Sequence, residues 1–192
     1  MDKRPLRNGQ IGWEIRRSLI SILVFSVYGL LTFLAWRNGI VRVEFQPSWY
    51  KVAGDVAFLV VWNEVHFYCM HRLLHTRWLY RHVHRIHHES VIPTPFSTYS
   101  FHWLEAVLLG SVMILPMFFF KFSGAALLAL PVMSIALNTI GHCNYNVFAK
   151  YPSIHSASLE HSMHHLRVGG NYGFYLPLLD VWARTTLRKI TR

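Results

Sequence analysis

Cysteine is nearly absent from this chain of 192 residues, with Cys69 and Cys143 its only two. That leaves no disulfide framework, no cysteine cage for structural zinc and no thiolate set for an iron–sulfur cluster. Both thiols stand beside histidines and are expected to be small, buried and reduced. Acidic residues are also scarce, nine against nineteen lysines and arginines, which gives a formal charge of +10. No GxGxxG stretch offers a dinucleotide site, no haem domain is fused to the chain, and no helix-turn-helix or RNA-binding pattern directs the basic surplus toward nucleic acid. There is no low-complexity tract, and nothing repeats except one histidine triplet.

What fills the chain instead is hydrocarbon: 53% of residues are hydrophobic and 15% aromatic. Ser18 to Trp36 and Phe122 to Gly141 are uncharged runs long enough to cross a hydrocarbon core of about 30 Å. Val52 to Met70 is apolar enough to cross as well, although it carries Asp55, expected to be solvated near the outer end, and Glu64. Trp103 to Phe120 forms a further span. The basic residues gather at Lys3, Arg4, Arg7, Arg16 and Arg17, at Arg72, Arg77, Arg81 and Arg85, and at Arg184, Arg188, Lys189 and Arg192. These flanks follow the positive-inside rule and favour an anionic lipid surface over DNA. The loop from Arg37 to Lys51, broken at Pro47, falls on the far side. The run after Arg17 is long enough to span and no small-residue cleavage site follows it, so no cleaved signal peptide is expected.

The sequence thus predicts an all-α integral membrane protein, a single membrane domain over 1–192. It has a basic arm (1–17) resting on the headgroups and about four transmembrane helices (18–36, 52–70, 103–120 and 122–141). A cytoplasmic histidine-rich helical cap is built from 71–102 and 142–192. A tight turn at Lys121, Ser123 and Gly124 joins the last two spans into a hairpin that returns the chain to the histidine side. Phe174 to Ala183 is apolar but too short to span, and is expected to lie in the interface.

Six of the thirteen histidines lie between His71 and His88. Residues three and four apart share a helix face, which pairs His71 with His75 and groups His84, His87 and His88. The triplet returns as His161, His164 and His165. His142 directly follows a span at the depth of His71 and joins the candidate ligands. His66, His82, His102 and His155 fall outside ligand spacing and are expected to be hydrogen-bonded or surface residues. Asn144 and Asn146 are weak ligands or caps. Nine imidazoles exceed what one ion needs and suit two ions with four or five each. Glu64 stands two helical turns below His71 and has two readings: it accepts a ring N–H from a ligand histidine, fixing its tautomer, or pairs with an arginine such as Arg72. Glu105 is a second carboxylate able to orient a histidine.

The boxes His71-Arg-Leu-Leu-His75, His84-Arg-Ile-His87-His88 and His161-Ser-Met-His164-His165 read HxxxH, HxxHH and HxxHH. With them the chain resembles the fatty acid hydroxylase and sterol desaturase superfamily of integral-membrane di-iron enzymes. The likeness runs from about Asp55 to Asp180. It includes the acidic residue seven before the first box, the Ser-Phe-His-Trp-Leu-Glu stretch, His142, and Asn-Tyr-Gly after the last box. Glu64 stands where the family often has aspartate, and Trp103 where it often has proline.

The resemblance implies two iron ions, with zinc as an alternative occupant on purification, O2 as co-substrate, and hydroxylation or desaturation of a sterol, sphingoid or fatty acyl lipid. It also implies electrons from a separate cytochrome b5-like or ferredoxin-like donor system. The implied location is the bacterial inner membrane or the endoplasmic reticulum, with the termini and metal site cytoplasmic. Carotenoid hydroxylases share this chemistry, but their first box usually has one more residue between its histidines. The rival from another class is a non-catalytic membrane protein that stores zinc or uses it for stability.

Overall fold

The computed structural model describes residues 4–145 and 157–187. Asn146, His155 and the basic residues Lys3, Arg188, Lys189 and Arg192 lie outside the described residues. The chain is mostly helical: α1 (Gln10–Arg37), α2 (Trp49–Leu74), α3 (Arg77–Leu79), α4 (Arg85–His88), α5 (Trp103–Met117), α6 (Gly124–His142), α7 (Ala157–Arg167) and α8 (Leu178–Trp182). A π-helical turn, Tyr80–His84, joins α3 to α4 without a break.

α1 and α6 are long and apolar enough to cross a membrane, and only 11% and 22% of their most apolar windows is buried. A core helix of a soluble protein would bury that surface. Here Leu19, Leu23 and Leu30 of α1, and Leu128 and Val132 of α6, face outward, as lipid contact requires. α2 has the length but carries Asp55 and Glu64, and α5 is apolar but shorter, at 15 residues. It ends at Met117 rather than at Phe120, just past Pro116.

α1 begins eight residues earlier than the apolar run, so residues 10–17 of the expected arm are two turns of helix. Glu14 explains the extension. It is fully buried and accepts hydrogen bonds from Gln10 Nε2 at 2.7 Å, Ser90 Oγ at 2.7 Å and Thr94 Oγ1 at 2.5 Å. The start of α1 is thereby fastened to the segment that follows His88.

α1 lies along α5, while α2 packs on both α5 and α6. The α1–α5 contact is close because Gly110 lacks a side chain. A Cβ there would come within 2.8 Å of the Tyr28 ring, whose hydroxyl donates to Val107 O at 2.8 Å. Val41, Leu59, Met117, Phe122, Ala126 and Leu130 form the apolar core at the end of the bundle away from the histidines.

The expected tight turn between α5 and α6 is instead a short strand. β2 (Phe122–Ser123) pairs in parallel with β1 (Val43–Glu44), a two-residue ladder that is the one sheet among the described residues. The pairing gives partners to backbone groups that have no water when they lie near the bilayer. Asp55 is buried rather than solvated: it bonds Lys51 Nζ and accepts Ser123 N–H at 2.7 Å, pinning the same turn.

Candidate metal centre

α2 carries His71 in its last turn and is capped by His75, the π turn and α4 carry His84, His87 and His88, α6 ends at His142, and α7 carries His161, His164 and His165. Their side chains converge in two groups. One ligand atom from each of His71, His75, His84, His88 and His164 lies within 4.8 Å of the others, and the same holds for His87, His142, His161 and His165. The nine histidines expected as ligands therefore all meet, five in one cluster and four in the other. The triplets do not act as single faces. In each HxxHH box the first and last histidines join one cluster and the middle one joins the other. The π turn, a local widening frequent at functional sites, ends at His84.

The nitrogens inside each cluster face one another. Nε2 of His88 lies 3.1 Å from those of His84 and His164, and His75 Nε2 is 3.2 Å from His164 Nε2. In the second cluster His161 Nε2 lies 2.9 Å from His142 and 3.0 Å from His165, and His142 is 3.4 Å from His87. Nitrogens each about 2.1 Å from one ion stand roughly 3 Å apart, so these separations suit a shared cation.

The outer nitrogens fix the tautomers. His164 Nδ1 donates to Gly170 O at 2.6 Å, His71 Nδ1 to Tyr172 O at 2.9 Å, and His142 Nδ1 to Asn138 O at 2.8 Å. A carbonyl only accepts, so each Nδ1 carries the proton and each Nε2 presents a bare lone pair to its cluster. His84 Nδ1 donates to Glu105 Oε1 at 2.8 Å, both groups fully buried. Lone pairs turned toward lone pairs repel unless a cation lies between them, and the donor set therefore fits metal. Desolvation, followed by the neighbouring imidazoles, holds His84, His87, His161 and His165 far below the ordinary histidine range, so they are neutral and ready to ligate.

Glu64 does neither of the two things expected of it. Its carboxylate accepts backbone N–H groups of Tyr175 at 3.1 Å and Leu176 at 3.4 Å, and among the described residues it reaches no histidine or arginine. It holds the loop after α7, whose Tyr172 carbonyl accepts the hydrogen bond from His71 Nδ1–H. Asp180, which the sequence reading passed over, holds that loop from the other side. It accepts from Tyr172 N at 2.9 Å, Gly173 N at 2.7 Å and Thr185 Oγ1 at 2.6 Å. A buried aspartate inside the apolar run 174–183 was the available signal. Of the other histidines, His66 bonds Ser111 Oγ, His82 bonds Trp78 O on the surface, and His102 caps α5 at Leu104 N. Asn144 takes a left-handed conformation just past α6. Cys69 is exposed rather than buried, and Cys143 is half-buried with its thiol on Ile140 O.

Two openings flank the clusters. An apolar cavity of about 450 Å³ lies between α1, α2, α5 and α6, and Phe67, Phe101, Leu109 and Asn138 separate it from a small void walled by His71, His84, His87, His142 and His161. Ile22, Phe25 and Tyr28 of α1 line the cavity too, so it draws on all four long helices. On the opposite side, an open cleft of about 650 Å³ reaches His75, Tyr80 and Tyr172 between Arg77, Arg81, Arg85 and Arg167.

The fatty acid hydroxylase family model matches residues 56–185, a stretch that contains every histidine of both clusters. The chain belongs to the fatty acid hydroxylase family. Among relatives of this fatty acid hydroxylase chain, a Delta(7)-sterol 5(6)-desaturase of Leptosphaeria maculans is 28% identical over 176 residues, covering 89% of this chain and 49% of its own length. The lathosterol oxidase of Rattus norvegicus is 27% identical over 177 residues, covering 89% of this chain and 59% of its own. Methylsterol monooxygenase 2-2 of Arabidopsis thaliana is 28% identical over 143 residues, 70% of this chain and 53% of its own. The chain thus spans about half the length of these relatives. No solved structure matches it significantly.

Proposed function

We propose that the chain is an O2-dependent membrane oxidoreductase that hydroxylates or desaturates a lipid, with one iron held by His71, His75, His84, His88 and His164 and a second by His87, His142, His161 and His165. The observation that carries this reading is the joint position of the two clusters, fed by an apolar cavity on one side and reached by a basic cleft on the other. Paired irons supply, when bound, O2 activation and hydrogen abstraction from an unactivated C–H bond, which no side chain performs alone. The names of the relatives, which oxidise sterols, support a lipid as substrate.

The protein's own part is binding and positioning. The cavity takes the lipid laterally from the bilayer, and its size falls in the roughly 300–1,000 Å³ range of ligand pockets. Phe67, Phe101 and Leu109 present the chain to the clusters and exclude water. The Nδ1–H bonds to Gly170, Tyr172, Asn138 and Glu105 hold the imidazoles in place. Electrons arrive from a separate acidic donor protein at the arginine-lined cleft. α1, α2, α5 and α6 serve as the four spans. The crowding of Arg72, Arg77, Arg81 and Arg85 at the histidine end supports a cytoplasmic site.

Metal analysis of the purified protein together with lipid mass spectrometry of cells with and without it provides the test. Two irons per chain and an oxidised lipid that disappears with the gene are expected. Zinc in both clusters with an unchanged lipid profile would favour the non-catalytic alternative.

A further inference from the structure

The cavity wall is mostly apolar, with Ser26, Tyr28, Tyr99, Ser134 and Asn138 as its polar members outside α2. Asn63 lines the cavity with only 8% of its surface exposed, and its carboxamide has no hydrogen-bond partner among the described residues. His66, one turn on and on the same face, lines it too. Ser111 Oγ donates to Leu108 O at 2.7 Å, so it accepts from His66 Nε2–H at 2.9 Å. The neutral imidazole is then protonated at Nε2, and Nδ1 is left as a bare acceptor. Nearby polar groups are otherwise engaged: Tyr28 donates to Val107 O, and the Asn138 amide nitrogen to Ser134. A buried carboxamide among phenylalanines and leucines is unfavourable unless a ligand completes it.

We infer that Asn63 and His66 form a polar subsite for a hydroxyl carried by the lipid within its hydrocarbon body. A hydroxyl is the group that uses both side chains at once, accepting from Asn63 Nδ2–H while donating to His66 Nδ1. The inference rests on the cavity being the substrate site, and it narrows the substrate class. Asn63 stands eight residues before His71 and His66 five, which places the subsite roughly 10 Å along the helix axis from the first cluster. The substrate is therefore a lipid with an oxygen function about 10 Å from the carbon that reacts, in contrast to a plain acyl chain.

The test is saturation binding of two radiolabelled probes, octadecan-9-ol and octadecane, to the iron-loaded protein in detergent, with wild type, Asn63→Leu and His66→Phe. Two hydrogen bonds predict that wild type prefers the alcohol by roughly tenfold. Both variants, checked for fold by their iron content, should bring the two affinities together by weakening the alcohol. Equal affinities in wild type overturn the subsite, as does a preference that survives in both variants. This readout needs no turnover. A protein that oxidises lipid but shows no preference loses the subsite and keeps the function, whereas one that shows the preference without any oxidation does the reverse.

Discussion

His87 and His88 are adjacent in the chain and face different clusters: His87 Nε2 lies 3.4 Å from His142 Nε2, and His88 Nε2 lies 3.1 Å from His164 Nε2. Successive helical residues are turned by about 100°, so one HxxHH box on a helix between two sites supplies both. The first prediction follows from this division. His164→Ala removes a ligand from the five-histidine cluster and His87→Ala one from the four-histidine cluster. Each variant should lose one of two metal equivalents preferentially, and both should lose product formation. Metal stoichiometry with activity checks it, and full activity in either variant would sink the assignment.

Among the described residues Glu105 Oε1 is the sole partner of His84 Nδ1, and the other carboxylate oxygen is buried without one. Glu105→Leu frees the His84 ring to turn or change tautomer. Loss of such a supporting partner typically lowers metal affinity 10–100-fold. Competition with a chelator of known affinity should show that drop, with Glu105→Gln intermediate. An unaltered affinity in Glu105→Leu would leave the carboxylate without a positioning role.

The nine histidines were legible in the sequence because imidazoles at spacings of three and four declare a helix face wherever they occur. Their division between clusters was not, since it depends on which helices stand on either side of each box. The partners of His71 and His164 were invisible for another reason: they are backbone carbonyls, and a carbonyl has no residue identity to read. Glu64 shows the limit of periodicity. Its seven-residue offset put it on the face of His71, yet that face meets the returning loop at Tyr175 before it meets a histidine. Asp55 misled in the same way and Glu14 gave no signal, because burial by residues 68 and 76 positions away leaves no local trace.

Asp180 ties two donors of the loop whose carbonyls orient His71 and His164, Tyr172 N and Gly173 N, and a third, Thr185 Oγ1, past α8. Asp180→Ala leaves those part-buried donors without their acceptor, at a cost of up to about 1–3 kcal/mol for each one that water cannot reach. A lower melting temperature is expected, together with metal loss concentrated in the five-histidine cluster. If melting falls while both metal equivalents stay, the loop supports the fold without orienting the ligands.

Arg77, Arg81 and Arg85 border the open cleft beside His75. Charge complementarity governs encounter rates more than contact energy, and salt screens it. The variant Arg81→Glu/Arg85→Glu should therefore slow turnover driven by an acidic protein donor while leaving turnover with dithionite unaffected. The wild-type rate with the protein donor should fall as ionic strength rises, and the variant should lose that dependence. Equal slowing with both reductants would place the arginines in the fold rather than at a docking face.

Acid should unfold the metal-free protein early. Burial, then neighbouring imidazoles, holds His84, His87 and His165 well below the ordinary value of 6.5. The unfolded chain keeps that ordinary value and takes up protons below it that the folded clusters refuse. Stability is thus fully present above about pH 6.5 and is lost progressively as pH falls below it. Melting of chelator-treated protein should be flat from about pH 8 to 7 and drop steadily by pH 5. Bound metal favours the same neutral rings, so the loaded protein should hold its melting temperature further into acid and release its ions as it unfolds. A metal-free profile flat down to pH 5 would mean that water reaches the imidazoles and that the clusters are open.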